Sequence, residues 1–215
     1  MINHDTIYFD HQATTPLDPR IFRKMEPFWR ESFGNPHSIE HSIGWAADKA
    51  ITDAKASVAT LIGADADEVI FTSGATESNN LALLGVARGL DAGSDRRRIF
   101  VSAIEHKCVL AAAQALQEHG GFKVDTVPVD QKGKIKQDEL KKIISSDVLL
   151  CSFILVNNEI GTIQEISEIS QICRASGTLL HCDGAQAPAA MDLSQIADRV
   201  DFLSLSGHKM YGPMG

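Results

Sequence analysis

Five short apolar segments, each followed by a polar cluster, constrain this chain more than any other feature of its sequence. The segments are Val69-Ile70-Phe71, Ile99-Phe100-Val101, Val148-Leu149-Leu150, Thr178-Leu179-Leu180 and Phe202-Leu203. Helical patterns separate them, which favours βαβ crossovers and a mostly parallel sheet. Because the carboxyl ends of parallel strands meet at one edge of the sheet, we expect the polar clusters to line a single site there.

The apolar periodicity predicts a definite set of elements. Helices are predicted over about 16–30, 42–62, 76–88, 108–119, 137–144 and 166–176, and strands over 68–72, 98–102, 123–127, 148–156, 178–183 and 201–204. We therefore predict an α/β fold of three layers, α/β/α, around a mostly parallel sheet. Residues 16–215 are expected to form the large domain, and residues 1–15 an N-terminal arm.

Composition excludes several classes of protein. The chain is 44% hydrophobic and 22% charged, as globular proteins usually are, and its formal net charge of -8 argues against a general affinity for nucleic acid. No segment approaches the ~20 apolar residues of a membrane helix, and the N-terminus lacks the pattern of a signal peptide. We expect a cytoplasmic protein that binds neither nucleic acid nor membrane. The cysteines lack CxxC spacing, which favours buried thiols over disulfides or a metal site; they are Cys108, Cys151, Cys173 and Cys182.

The segment Ser73-Gly74-Ala75-Thr76 stands where a predicted strand turns into a helix. Free backbone N–H groups and the helix dipole would face an anion at such a turn. The alternative is that Ser73 or Thr76 only caps the helix. A nucleotide P-loop is excluded because no Gly-Lys-Ser/Thr follows at the required spacing. Ser206 and His208 are further candidates to hold the same phosphate.

Three more polar residues are candidates for chemistry. Asp183 follows an apolar strand, so its desolvated carboxylate needs a partner, either a pyridinium N–H or a buried backbone donor. Lys209 lies in a glycine-flanked loop, where it is either solvated or, if desolvated, able to form a Schiff base. His106 either stacks on a planar ring and transfers protons or makes only a helix-cap contact. A zinc site from His106, His181 and Asp183 is disfavoured because the ligand spacing is wrong.

A phosphate cup, a carboxylate for a ring nitrogen, a stacking imidazole and a Schiff-base lysine are together what pyridoxal phosphate requires. The sequence resembles the cysteine desulfurases, the NifS/IscS-like branch of the class V aminotransferase superfamily of fold type I pyridoxal-phosphate enzymes. The matching segments span the whole chain in the family's order. They are Asp10 with Ala13-Thr14-Thr15-Pro16, Phe33-Gly34-Asn35-Pro36, Phe71-Thr72-Ser73-Gly74-Ala75-Thr76-Glu77-Ser78, Glu105-His106-Lys107, Val156-Asn157-Asn158-Glu159-Ile160-Gly161, Asp183-Gly184-Ala185-Gln186 and Ser206-Gly207-His208-Lys209-Met210-Tyr211-Gly212-Pro213.

The resemblance implies a role for each of several positions. Lys209 would bind the cofactor covalently and later move the substrate Cα proton. Asp183 would keep the pyridine nitrogen protonated, and Gln186 would hydrogen-bond the phenolic oxygen of the ring. His106 would stack on the ring and act in proton transfer. The residues that would hold the phosphate are Ala75, Thr76, Ser206 and His208.

Asn158, rather than Asn157, is expected near the ring oxygen and the substrate carboxylate. The family reaction converts L-cysteine into L-alanine and leaves the sulfur as a persulfide on an enzyme cysteine. The sulfur then passes to an acceptor protein such as an iron–sulfur scaffold, or to tRNA thiolation, and the enzymes are homodimers. A selenocysteine lyase or a cysteine sulfinate desulfinase of the same superfamily remains an alternative, as does a fragment that binds the cofactor or a partner without chemistry.

The sequence ends at Gly215, shortly after Lys209. Relatives continue with another strand of the sheet, a small C-terminal domain, an arginine for the substrate carboxylate and a mobile loop that carries the nucleophilic cysteine. None of the four cysteines here occupies that loop. We therefore expect an incomplete sheet edge, a complementary C-terminal chain as a possible partner, and no persulfide release by the isolated chain.

Overall fold

A single parallel sheet forms the centre of the computed structural model, which describes residues 7–214. Its strand order is β2-β1-β3-β4-β5, and every neighbouring pair is parallel. The strands are β1 (Arg98–Ser102), β2 (Lys123–Val127), β3 (Val148–Ile154), β4 (Leu179–Asp183) and β5 (Phe202–Ser204). Because the chain order reverses between β1 and β3, the carboxyl ends of these strands open a crevice at a topological switch point.

Helices cover both faces of this sheet. They are α1 (Pro19–Arg30), α2 (Ser42–Ile62), α3 (Ala75–Arg88), α4 (Lys107–His119), α5 (Gln137–Ile143) and α6 (Ile166–Ala175). Successive residues of a strand point to opposite faces: Ile99 joins the apolar core with Val109 of α4, whereas Phe100 joins the core with Leu140 of α5. The predicted α/β fold with helices on both sides of a parallel sheet is confirmed. Among residues 7–214, no helix is long and apolar enough to cross a bilayer.

The predicted strand over 68–72 is wrong. Ala66–Glu68 form a short 3₁₀ turn, and Val69 after it is extended but belongs to no sheet within the described residues. A strand exists only where a neighbour completes its hydrogen bonds, and β-propensity in the sequence does not supply that neighbour. The remaining elements are present with ends shifted by a residue or two, and the first helix begins at Pro19.

Apolar side chains remain exposed on the first two helices. On α1, Trp29 is 61% exposed, and on α2, Ile43 and Trp45 are 56% and 59% exposed. Only small residues of α2, such as Ala47 and Ala59, are buried. Several of the larger apolar side chains of these two helices therefore lie on the surface.

Candidate active site

The carboxylate of Asp183 lies at the carboxyl end of β4 and is 3% exposed. Its Oδ1 accepts a hydrogen bond from the Ala185 N–H (3.0 Å), and its Oδ2 accepts one from Nδ2 of Asn79 (2.8 Å). Ala185 is thus the backbone donor that sequence reasoning offered as an alternative partner. Asn79 was not identified from the sequence, although it lies on the stripe of α3 that also carries Ala82 and Leu83. Two donors fix the carboxylate at the sheet edge, where an N–H cation would suit it.

Lys209 ends a tight loop that follows β5. Ser206, 2% exposed, accepts the Lys209 N–H (3.2 Å), and the Gly212 N–H donates to the Gly207 carbonyl (2.9 Å). A Cβ on Gly212 would lie 2.7 Å from that carbonyl oxygen, so only glycine fits. The Lys209 side chain is half-buried and makes no hydrogen bond or ion pair within the described part of the chain. Its amine is therefore available to a ligand.

The N-terminal segment holds this loop. Both the N–H and Oγ1 of Thr15 donate to the carbonyl of His208 (2.9 Å each). Oγ1 of Thr14 lies 3.0 Å from His208 Nδ1, which leaves Nε2 of that ring for another partner. Nε2 of Gln186 donates to the Gln12 carbonyl (2.7 Å). The same N-terminal segment therefore also holds Gln186, the residue predicted to contact the phenolic oxygen of the cofactor ring. Residues at the two ends of the sequence therefore build one wall of the site.

The anion site predicted at Ser73-Gly74-Ala75-Thr76, called the anion cup below, lies at the start of α3. The N-cap residue is Gly74, with φ 142° and ψ -179°, a conformation that is nearly restricted to glycine. No side chain caps the helix, and the N–H groups of Ala75 and Thr76 have no acceptor within residues 7–214. Ser73 and Gly74 line the same cavity, about 370 Å³, as Ser206 and His208. The tertiary fold thus places the two residues before Ala75 and Thr76 beside Ser206 and His208, although the start of α3 follows an unpaired segment instead of a strand.

His106 is the N-cap of α4. Its Nδ1 accepts the Cys108 N–H (3.3 Å) and lies 2.9 Å from Cys108 Sγ. The cap contact that the sequence offered as an alternative is therefore present. A backbone N–H can only donate, so Nδ1 acts as an acceptor and the ring N–H is on Nε2.

The two adjacent asparagines have different surroundings. Asn157 is buried, donates to the Ile104 carbonyl (2.9 Å) and accepts the Glu159 N–H (2.9 Å), so it holds the backbone. Asn158 is partly exposed and makes no side-chain hydrogen bond in the described residues. Of the two, Asn158 is thus the one whose side chain has no hydrogen-bond partner within residues 7–214; its role at the cofactor stays a prediction.

Two further ionisable side chains are buried near Asp183. His181 lies between Oγ of Ser152 (2.8 Å) and Oγ of Ser204 (3.0 Å), and burial lowers its pKa to about 4. The imidazole is therefore neutral. Among the residues that the structure describes, no cluster of three possible metal ligands is formed.

Glu105 is the second of these side chains, and the sequence gave it no individual role. Its Oε1 accepts the Ile154 N–H (2.7 Å) and the Ser102 hydroxyl, while its buried Oε2 has no partner in residues 7–214. Burial raises the pKa of Glu105 to about 8. A carboxyl that is neutral at pH 7 adds no second negative charge beside Asp183.

Comparison with known proteins places this architecture in a family. The Aminotransferase class-V family matches residues 7–215, nearly the whole chain. The chain belongs to the class-V aminotransferase family. Pyridoxal phosphate is the cofactor of this family. Residues 7–214 present the chemistry that this cofactor needs: N–H groups at a helix start and an amine that have no partner among these residues, a fixed carboxylate and an imidazole.

Cysteine desulfurases are among the relatives of this class-V member. It is 47% identical over 209 residues to a cysteine desulfurase IscS of Rickettsia akari, covering 97% of this chain and 50% of the relative. A mitosomal cysteine desulfurase of Trachipleistophora hominis is 46% identical, with 97% and 47% covered. A solved NifS-like protein superposes with a TM-score of 0.92 at 39% identity, covering 97% of this chain and 57% of that one. The chain spans about half the length of the curated relatives that it matches.

Proposed function

We propose that this class-V chain belongs to a pyridoxal-phosphate-dependent cysteine desulfurase, which converts L-cysteine into L-alanine and passes on the sulfur as a persulfide. The observation that carries the proposal is the meeting of the Lys209 loop with the N-terminus of α3 around one cavity, next to the strand that ends in Asp183. The relatives named cysteine desulfurases support this reading. So does a solved neighbour described as SspA in complex with cysteine, with a TM-score of 0.90 and 37% identity.

Each side chain has a defined task in this proposal. When bound, pyridoxal phosphate supplies an electron sink for charge that develops at the substrate Cα. Lys209 holds the cofactor through its amine and then moves the Cα proton. Asp183 would hold a proton on the ring nitrogen, and His106 would stack on the ring and act in proton transfer. Ala75, Thr76, Ser206 and His208 hold the phosphate, while Gln186 and Asn158 contact the ring oxygen.

The resident cysteines are poor candidates for the sulfur nucleophile. Burial raises the pKa of Cys151 and Cys182 well above the ordinary thiol value, and Cys173 is 1% exposed. A protonated, buried thiol is unreactive. Cys108 is half-buried and hydrogen-bonded to His106. We therefore propose that a complementary C-terminal chain supplies the cysteine.

A groove beside β5 gives such a chain a place to bind. Ile70 and the β5 residues Phe202 and Leu203 line a second cavity there, about 240 Å³. The outer edge of β5 pairs with no strand in the described residues, so an added strand would complete the sheet. The exposed apolar side chains of α1 and α2 support a homodimer. An iron–sulfur scaffold is the proposed sulfur acceptor, in the cytoplasm.

Borohydride reduction of the chain with pyridoxal phosphate tests the cofactor site. Peptide mass mapping is expected to place the reduced cofactor on Lys209, and the Lys209→Ala variant is expected to carry none. Lys107 is the internal control, because it lies next to His106 but in a helix. A label on Lys107, or no label on folded protein, would refute the assignment.

Product formation tests the reaction. The 215-residue chain alone is expected to release no sulfide from L-cysteine. Addition of the C-terminal half of a relative, with its loop cysteine, is expected to restore alanine and sulfide production. Steady turnover by the chain alone would place the nucleophile in this chain. If the complemented chain turned over selenocysteine or cysteine sulfinate faster than L-cysteine, the proposal that L-cysteine is the substrate would be wrong.

A further inference from the structure

Asn79 is a polar residue in an apolar position. It lies on α3 and is completely buried, on the same side of the helix as Ala82 and Leu83, which pack into the core. Leucine or alanine at this position would bury no polar group and would therefore avoid the free energy of desolvating one. A fully buried amide has to be explained by the groups that it contacts.

Those groups belong to the cofactor site. Nδ2 of Asn79 donates to Oδ2 of Asp183 (2.8 Å) and to Sγ of Cys108 (3.2 Å). Oδ1 of Asn79 is buried without a partner among the described residues. The reversed amide would direct Oδ1 at a carboxylate oxygen, so Asp183 sets the orientation. An unpaired buried carbonyl destabilises the fold, and the amide is therefore kept for the contacts that its nitrogen makes.

Cys108 extends this contact to the second ring-binding side chain. Its Sγ accepts from Asn79, which leaves its S–H to donate to Nδ1 of His106, 2.9 Å away. The Cys108 N–H donates to the same nitrogen (3.3 Å). Both donors require Nδ1 as an acceptor, so they favour the tautomer whose N–H is on Nε2.

We propose that Asn79 and Cys108 form a hydrogen-bonded link that positions Asp183 and His106 relative to each other. The two are positioning residues, since they act through the side chains that would contact the cofactor. Asn79 also lies one turn beyond the anion cup, so one rigid helix carries both the phosphate-binding N–H groups and the amide that orients the carboxylate. This inference rests on the proposed cofactor site.

The link is tested first by equilibrium binding of pyridoxal phosphate to the 215-residue chain. Asn79→Leu removes a donor from a charged carboxylate, and we expect binding to weaken about 10- to 100-fold. The pH titration of the bound cofactor's absorbance is expected to move by about one pH unit. Asn80→Leu is the matched control, because Asn80 is adjacent on α3 but donates only to its own helix, at the Thr76 carbonyl. It is expected to change neither quantity measurably.

Cys108 offers a second test that needs no cofactor. The ¹⁵N chemical shifts of the His106 ring in the cofactor-free chain are expected to show an unprotonated Nδ1 in the wild type. Cys108→Ala removes one of its donors and is expected to shift Nδ1, whereas Cys108→Ser, which keeps a donor and an acceptor, is expected to restore the wild-type signal. Cys173→Ala controls for loss of a thiol elsewhere in the core.

The outcomes separate this inference from the proposed function. If the wild type fails to bind pyridoxal phosphate at Lys209, the proposed function is wrong, and the NMR comparison still tests the link. If the wild type binds and Asn79→Leu binds with the same affinity and pH titration, the link is wrong. Unchanged His106 signals in Cys108→Ala would overturn it as well. Should Asn79→Leu fail to fold by circular dichroism, the Cys108 variants decide.

Discussion

Replacing Glu105 by glutamine is expected to change how the stability of this fold depends on pH. Burial raises the pKa of this carboxyl from its ordinary value of 4.5 to about 8. Between those two values the folded chain binds one proton more than the unfolded chain does. The free energy of unfolding contributed by Glu105 therefore falls as pH rises. The contribution is complete below pH 4.5 and is lost as pH passes through 8.

The size of the effect follows from this window. Each pH unit in which one proton is held only by the folded state is worth about 1.4 kcal/mol. From 4.5 to 8 the total is up to about 5 kcal/mol. Glutamine keeps an acceptor for the Ile154 N–H, and its amide nitrogen takes the place of Oε2, which has no partner within residues 7–214. The variant thus preserves the contacts and removes only the titration.

Urea unfolding at pH values from 5 to 9 checks this expectation. The wild type and Glu105→Gln are expected to have similar stability near pH 5, and the variant is expected to gain several kcal/mol on the wild type by pH 9. Glu40→Gln, at an exposed carboxylate, is the control and should follow the wild type within about 0.5 kcal/mol. Parallel curves for wild type and Glu105→Gln would show that Glu105 is ionised in the folded chain, and the reasoning would be refuted.

Three other substitutions test separate parts of the structure. Burial holds the pKa of His181 at about 4, so between pH 4 and 6.5 this histidine is protonated only in the unfolded chain. The wild type should therefore gain about 3 kcal/mol of stability over that range, and His181→Gln is expected to remove the gain. Urea midpoints measured against pH check this. Thr15→Val removes the hydroxyl that donates to the His208 carbonyl and accepts the Tyr211 N–H (2.8 Å). We expect the free energy of unfolding to fall by roughly 2–4 kcal/mol and amide exchange at Tyr211 to become faster. Thr60→Val, at an exposed helical threonine, is the control and should change neither. Asp183→Asn is expected to raise the activation free energy of deuterium exchange at the substrate Cα by roughly 2–5 kcal/mol while leaving most of the cofactor bound. If the exchange rate and the cofactor occupancy fell equally, Asp183 would be structural.

Local sequence patterns determined most of the elements of this fold. Apolar periodicity located the six α-helices and five strands of residues 7–214 to within a few residues because those patterns reflect which face of each element is buried. The same patterns predicted a strand over 68–72, where the chain is extended but no neighbour completes its hydrogen bonds. Pairing is a property of two segments, and periodicity describes only one.

The polar clusters, in turn, identified the residues that the fold gathers at the sheet edge. Lys209, Asp183 and the anion cup were visible because each follows an apolar segment. Parallel pairing brings the ends of β4 and β5 together, whereas the anion cup follows an extended segment that pairs with no strand within residues 7–214. Asn79 and Glu105 were missed for a physical reason. Asn79 meets Asp183 across 104 residues of sequence, and Glu105 meets the Ile154 N–H across 49. Burial and long-range contact determine which proton or hydrogen bond such a side chain holds, and both arise only when the tertiary structure has excluded water.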